Sequence, residues 1–148
     1  MFGLIARTMI RRSVRRVNAG DIGPQLASYA DDAVLVFPGE TSWSGEYRGK
    51  SEIERFLRRF VDAGLQLEPQ EILVGGAPWN MSICVRFTDS ARDATGAAVY
   101  ENRGVIFVRA RWGKIFRQEL FEDTQAVAKF DEYLASRQGS ERAPSAAP

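Results

Sequence analysis

At Gly64 the spacing of apolar residues changes from helical to two-residue, and it stays two-residue as far as Glu122. No other feature constrains the fold as much, because a repeat of 3.6 and a repeat of two cannot serve the same kind of element. Before the change, Ile53, Phe56, Leu57, Phe60 and Val61 fill one helical stripe behind a Ser51–Glu54 capping box. After it, Leu67–Val74, Ser82–Thr88, Val99–Arg111 and Lys114–Glu122 read as four strands. In the second of them Ile83, Val85 and Phe87 alternate with Ser82, Cys84, Arg86 and Thr88. Trp112-Gly113 fits a two-residue hairpin, and Asp93 to Gly96 a longer polar tip.

The flanks complete the order. Ala6, Ile10, Val14 and Val17 share one face of a first helix, and Asp21 is placed to cap a second that carries Pro24 in its first turn. Ala33–Phe37 is a short apolar strand stopped by Pro38-Gly39. Asp123-Thr124 precedes a last helix with Val127, Phe130 and Leu134 on one side. Helices first and an antiparallel meander after them predict an α+β fold, one domain over residues 1–137, and a disordered Ala/Pro/Ser-rich tail over 138–148.

Composition limits the chemistry. The 148 residues include no histidine and one cysteine, so imidazole shuttles, Ser-His-Asp and Cys-His nucleophile systems and disulfide frameworks are excluded within this chain. The expectation is no metal and no cofactor, with acid–base work left to Asp, Glu, Tyr, Lys or Cys. Cys84 has no activating neighbour in sequence and reads as an inert thiol. Twenty Lys/Arg against 19 Asp/Glu give no global attraction to nucleic acid, and no run approaches a membrane span. A cytoplasmic protein with neither nucleic-acid nor membrane partners is expected. The five arginines between Arg7 and Arg16 read as a solvated helix face rather than a phosphate or anionic-lipid patch.

Several runs carry a family resemblance: Asn18-Ala19-Gly20-Asp21, Tyr29 to Ala33, Trp43 to Lys50, Asn102-Arg103-Gly104-Val105 and Gly113-Lys114-Ile115. Over residues 8 to 135 the chain resembles the nuclear transport factor 2-like superfamily, on its SnoaL-like, ketosteroid-isomerase-related branch. The resemblance implies a cone: a curved antiparallel sheet wrapped around helices, a central apolar pocket, and a homodimer formed through the outer sheet face. The isomerase catalytic positions fall on Ser13, Phe37 and Val105, and an epoxide-hydrolase-like aspartate position falls on Leu120; none of these side chains can do that work.

With Val105 and Leu120 taken as inward, the two-residue repeat places Glu101, Arg103 and Phe107 on the pocket face, together with Phe116, Gln118 and Glu122. A one-residue bulge would flip part of this set. Glu101, Arg103 and Glu122 form the candidate catalytic set, a carboxylate moving the proton and Arg103 stabilising an oxyanion or enolate; the alternative is a Glu101–Arg103 ion pair near the mouth or dimer edge, with Glu122 solvated at the strand end. Phe37, Trp43, Tyr47, Val105, Phe107, Gln118 and Leu120 are the candidate ligand contacts. Trp43 is a lid or packs its loop onto the helices, and Trp79 walls the cavity or anchors a turn, the turn being favoured. On the opposite parity Tyr100, Asn102, Arg86 and Cys84 are expected to face out of the sheet, toward a dimer partner, and they are the fallback site if the register is the other one. The expected function is a cofactor-independent isomerase, cyclase, hydrolase or dehydratase for a small apolar molecule, or else a noncatalytic ligand-binding or dimeric assembly module.

Overall fold

The computed structural model describes residues 1–142. Its elements are α1 (Phe2–Asn18), α2 (Gly23–Ala27), β1 (Tyr29–Phe37), β2 (Gly45–Arg48), α3 (Gly49–Asp62), β3 (Gln66–Ala77), β4 (Asn80–Arg92), β5 (Ala98–Arg111), β6 (Lys114–Glu122) and α4 (Thr124–Arg142). The six strands form one curved, unclosed sheet in the order β2-β1-β6-β5-β4-β3. Four junctions are antiparallel, but β1 lies parallel to β6, a departure from the wholly antiparallel expectation that follows from the long excursion between those strands.

Alternation decides which face is buried. On β4, Met81, Ile83, Val85, Phe87 and Ala91 point into the cone; on β5 the inward set is Tyr100, Ile106, Val108 and Ala110. They meet Ile53, Phe56 and Leu57 of α3 and Val127 and Phe130 of α4, each such buried side chain contributing roughly 1.5–3 kcal/mol. Gly104 is the tightest point: a Cβ there would lie 2.8 Å from Glu122 Cβ and 3.0 Å from the Phe87 ring, so β5 and β6 approach only because the residue is glycine.

Local signals act with small shifts. Asp21 accepts a hydrogen bond from Gly23 N at α2, and Asp123 accepts those of Gln125 and Ala126 at α4. The expected Ser51–Glu54 box does not form: α3 starts earlier, with Arg48 at its N-cap making no side-chain cap bond and Glu52 accepting from Arg48 N. Trp112 and Gly113 both hold positive φ, 50° and 77°, as a tight two-residue hairpin requires. At its foot, Arg109 pairs with Arg117 while Ala110 pairs with Ile115, which leaves Phe116 as an extra residue on β6. Its ring packs under the guanidinium of Arg111 at 4.5 Å, and Phe116 lines neither interior space, correcting its expected inward position. Residues 138–142, expected in the tail, continue α4; the remaining tail, 143–148, lies outside the described residues. No helix among the described residues is long and apolar enough to cross a membrane.

Candidate functional site

The inside of the cone holds two spaces in line. The closed end is walled by aromatics, among them Phe37, Trp43, Phe56 and Phe87, with Leu120, and has room for about 20 Å³, enough for a single water. The open end, between α1 and the concave sheet, is a cavity of about 490 Å³ lined largely by apolar side chains, among them Met9, Ile10, Ile83, Val85 and Ile106. That volume is in the range that takes a small organic ligand. Leu67 borders both spaces.

Three strands bring titratable groups to the closed end. Asp89 of β4 continues the inward series after Phe87, is 6% exposed, and leaves Oδ1 buried without a hydrogen-bond partner. Glu122 sits at the end of β6, and Tyr100 of β5 donates from its hydroxyl to Glu122 Oε2 at 3.1 Å. Asn102 Nδ2 donates to the Tyr100 oxygen at 2.9 Å and to Asp123 O at 2.9 Å, which holds the phenol in place, and the Tyr100 ring stacks on Phe130 at 4.5 Å. Burial pushes Asp89 up to about 6. Burial and then the Asp89 charge push Glu122 up to about 8. Burial and the two carboxylates also raise the Tyr100 phenol, so it stays protonated. Both carboxyls are thus raised above their ordinary range, Glu122 the further, so the pair holds on to a proton at a pH where free carboxyls have lost theirs.

A second, uncharged chain floors the open cavity. Ser13 Oγ donates to Gln25 Oε1 at 2.7 Å, Gln25 Nε2 donates to the Tyr29 oxygen at 3.1 Å, and the Tyr29 hydroxyl donates to Gln118 Oε1 at 2.6 Å. Burial pushes Tyr29 up to about 12, so it remains a donor, and with Oε1 engaged the Gln118 amide presents its N–H end.

The residues singled out from sequence divide between the two faces of the sheet. Glu122, Leu120 and Phe37 meet at the closed end, and Gln118 lines the open cavity. Glu101, Arg103, Val105 and Phe107 lie on the outer face, with Glu101 and Arg103 exposed. That corrects their inward assignment: Gly104 takes the inward position beside Phe87, so the alternation runs one residue out of step with the resemblance. Of the four residues expected to face out of the sheet, Cys84 and Arg86 of β4 do so, whereas Tyr100 and Asn102 of β5 face in. Trp43 is buried, donates from Nε1 to Asp131 Oδ1 at 3.0 Å and lies under the Arg59 guanidinium at 3.9 Å; it fastens its loop to α3 and α4 while walling the small space. Tyr47 packs edge-on to Phe56 at 4.9 Å, bonds to Trp43 O and lines neither space. Trp79 stands on the β3–β4 turn. Asp89 was not singled out, although extending the Ile83, Val85, Phe87 alternation by one step reaches it.

The family model for the SnoaL-like domain matches residues 10–118. No curated protein matches. Among solved structures, an NTF2-like protein of unknown function from Burkholderia pseudomallei K96243 is 21% identical, with 84% of this chain and 95% of that chain covered and a TM-score of 0.70. TerC, co-crystallized with polyporic acid, is 24% identical over 84% of this chain and 96% of its own, with a TM-score of 0.69. RV0760c from Mycobacterium tuberculosis, in complex with estradiol-17β-hemisuccinate, is 24% identical over 84% of this chain and 95% of its own, with a TM-score of 0.67.

Proposed function

This chain belongs to the SnoaL-like domain family, within the nuclear transport factor 2-like superfamily, and we propose that it is a cofactor-independent acid–base enzyme acting on an apolar metabolite with an enolisable carbonyl. The observation that carries the reading is the pairing of Asp89 with Glu122 and Tyr100 in a small, aromatic-walled space that adjoins the largely apolar cavity at Leu67. The substrate enters the 490 Å³ space, and its carbonyl end reaches the carboxyls by displacing Leu67 and widening the water-sized space beyond it. Asp89, ionised, takes the proton from the carbon beside the carbonyl. Neutral Glu122, oriented by the Tyr100 hydroxyl, donates a hydrogen bond to the carbonyl oxygen as it becomes an enolate. Where a neighbouring carbon–carbon double bond extends this to a dienolate, return of the proton from Asp89 to its far carbon completes an isomerisation, with both carboxyls back in their starting states.

A noncatalytic ligand carrier is the second reading. It is favoured by the lining of the larger cavity, whose polar groups include Ser13, Gln25 and Gln118 but no carboxylate. A thermal-shift panel of steroids, polyporic acid and other ring ketones separates the two. A ligand at a hundredfold excess over Kd stabilises the fold by about 2.7 kcal/mol. The hit is then followed by NMR in D₂O. Deuterium entering the ligand, and slowed about 10²-fold or more in Asp89→Asn, supports the enzyme. Binding without exchange in any variant supports the carrier.

The outer face is proposed to join two copies of the chain. Leu73, Cys84 and Phe107 form one row across β3, β4 and β5, and Val105 pairs with Phe121 beside it; Leu73 and both phenylalanines are exposed in the single chain. Sedimentation velocity on Phe107→Glu tests this, with a dimer for the parent and a monomer for the variant as the expected pair.

A further inference from the structure

The open end of the cone differs from the rest of the surface. The C-terminal half of α1 is clasped to the sheet, Asn18 exchanging hydrogen bonds with Leu67 O at 2.8 Å and Leu67 N at 3.0 Å. Its N-terminal half runs over the cavity mouth with Phe2 and Ile5 both lining the cavity and exposed to solvent, and Leu4 more exposed still. Gly113, at the β5–β6 tip, lines the same cavity. Next to it stands Trp112, 72% exposed, and 6.1 Å from its ring is that of Trp79, 60% exposed. The two turns that carry these rings are tied together by Trp112 N donating to Pro78 O at 2.7 Å. Two large indoles kept in water beside an apolar mouth are costly for a protein that meets only water.

Charge points to the occupant. Residues 1–20 and 109–117 together carry nine of the 20 Lys/Arg and none of the 19 Asp/Glu, although the chain as a whole is nearly neutral. Of those nine, Arg16 and Arg117 alone form ion pairs among the described residues. Exposed tryptophans, aliphatic side chains at a helix start and unpaired arginines are the combination that lies in the headgroup layer of an anionic bilayer.

We propose that the open end of the cone docks on an anionic lipid surface, so that an apolar ligand passes from that lipid into the cavity without crossing water. The helix lies on the surface and does not span it. This goes beyond the expectation of a merely solvated arginine face. It rests on the apolar cavity of the proposed function but not on the carboxyl chemistry: vesicle binding with no deuterium exchange keeps the docking and loses the enzyme, and exchange without vesicle binding does the reverse.

The test is co-sedimentation of the full chain with phosphatidylcholine vesicles and with vesicles of equal parts phosphatidylcholine and phosphatidylglycerol, with tryptophan fluorescence read alongside. Binding to the anionic vesicles, weaker with added salt, and a blue shift from Trp79 and Trp112 are expected. Arg7→Gln with Arg12→Gln should weaken binding about tenfold or more, since each basic residue near such a surface is worth about fivefold. Trp79→Ser with Trp112→Asn, asparagine being tolerant of the positive φ of that turn, should remove the blue shift and most of the binding while circular dichroism stays unchanged. The proposal is overturned by any of four results: no binding to anionic vesicles, equal binding to neutral ones, no effect of either double variant, or binding to a DNA oligonucleotide in place of vesicles.

Discussion

The two ends of the cone are built from the same strands and hold opposite contents. At the closed end Phe87, Leu120 and the α3 and α4 aromatics pack around Asp89 and Glu122 until little more than a water fits. Two inward positions further along the same strands, Val85 and Gln118 line a space of about 490 Å³ under a helix whose first turns are half in solvent. Dense packing and buried carboxyls go together, because low dielectric is what separates the two proton affinities; looseness and exposed apolar surface go together at the other end, where something must enter.

Substitutions should sort by end. Phe87→Ala, at the closed end, removes the ring seated on Gly104 and is expected to cost about 3–5 kcal/mol in urea unfolding. Asp131→Ala strips the acceptor of Ser42 N, Ser42 Oγ and Trp43 Nε1, the loop clasp that walls the same space, and should cost about 1–3 kcal/mol. Glu122→Gln sharpens the contrast through pH. A carboxyl whose folded pKa lies above its unfolded value favours the fold when protonated. The Glu122 contribution is therefore complete below about 4.5 and is lost as pH rises to about 8, with Asp89 adding a narrower loss between about 4 and 6. In thermal melts the variant should match the parent at pH 4 and exceed it above pH 8. Smallest is Met9→Ser at the open end, two-thirds exposed, which should shift stability by no more than about 0.5 kcal/mol while weakening any ligand held in the wide cavity. A Met9 cost as large as that of Phe87 would erase the distinction.

What could be read from sequence follows from how one-sided each strand is. β4 alternates cleanly and β6 was bounded at Lys114 and Glu122 as found, so Gln118, Leu120 and Glu122 were placed on the inner face. β5 carries apolar residues on both parities, Val105 and Phe107 outward against Ile106 and Val108 inward, and its decisive inward residue is a glycine with no side chain to mark it. Alternation alone cannot orient such a strand, and Glu101 and Arg103 went to the wrong face with it. The strand β2 buries none of its four residues and so left no apolar signature. The Phe116 bulge is a property of the β5–β6 register, visible only once both strands are paired. The acid pair joins residues 33 positions apart, Asp89 and Glu122, which only the fold brings together.

The most direct test of that pair is a pH titration of the carboxyl ¹³C shifts of Asp89 and Glu122. Asp89 should titrate near 6 and Glu122 near 8, so that at neutral pH one is ionised and the other neutral. Two transitions near 4, each at its ordinary value, would contradict the account and leave the closed end without an acid and a base to divide the work.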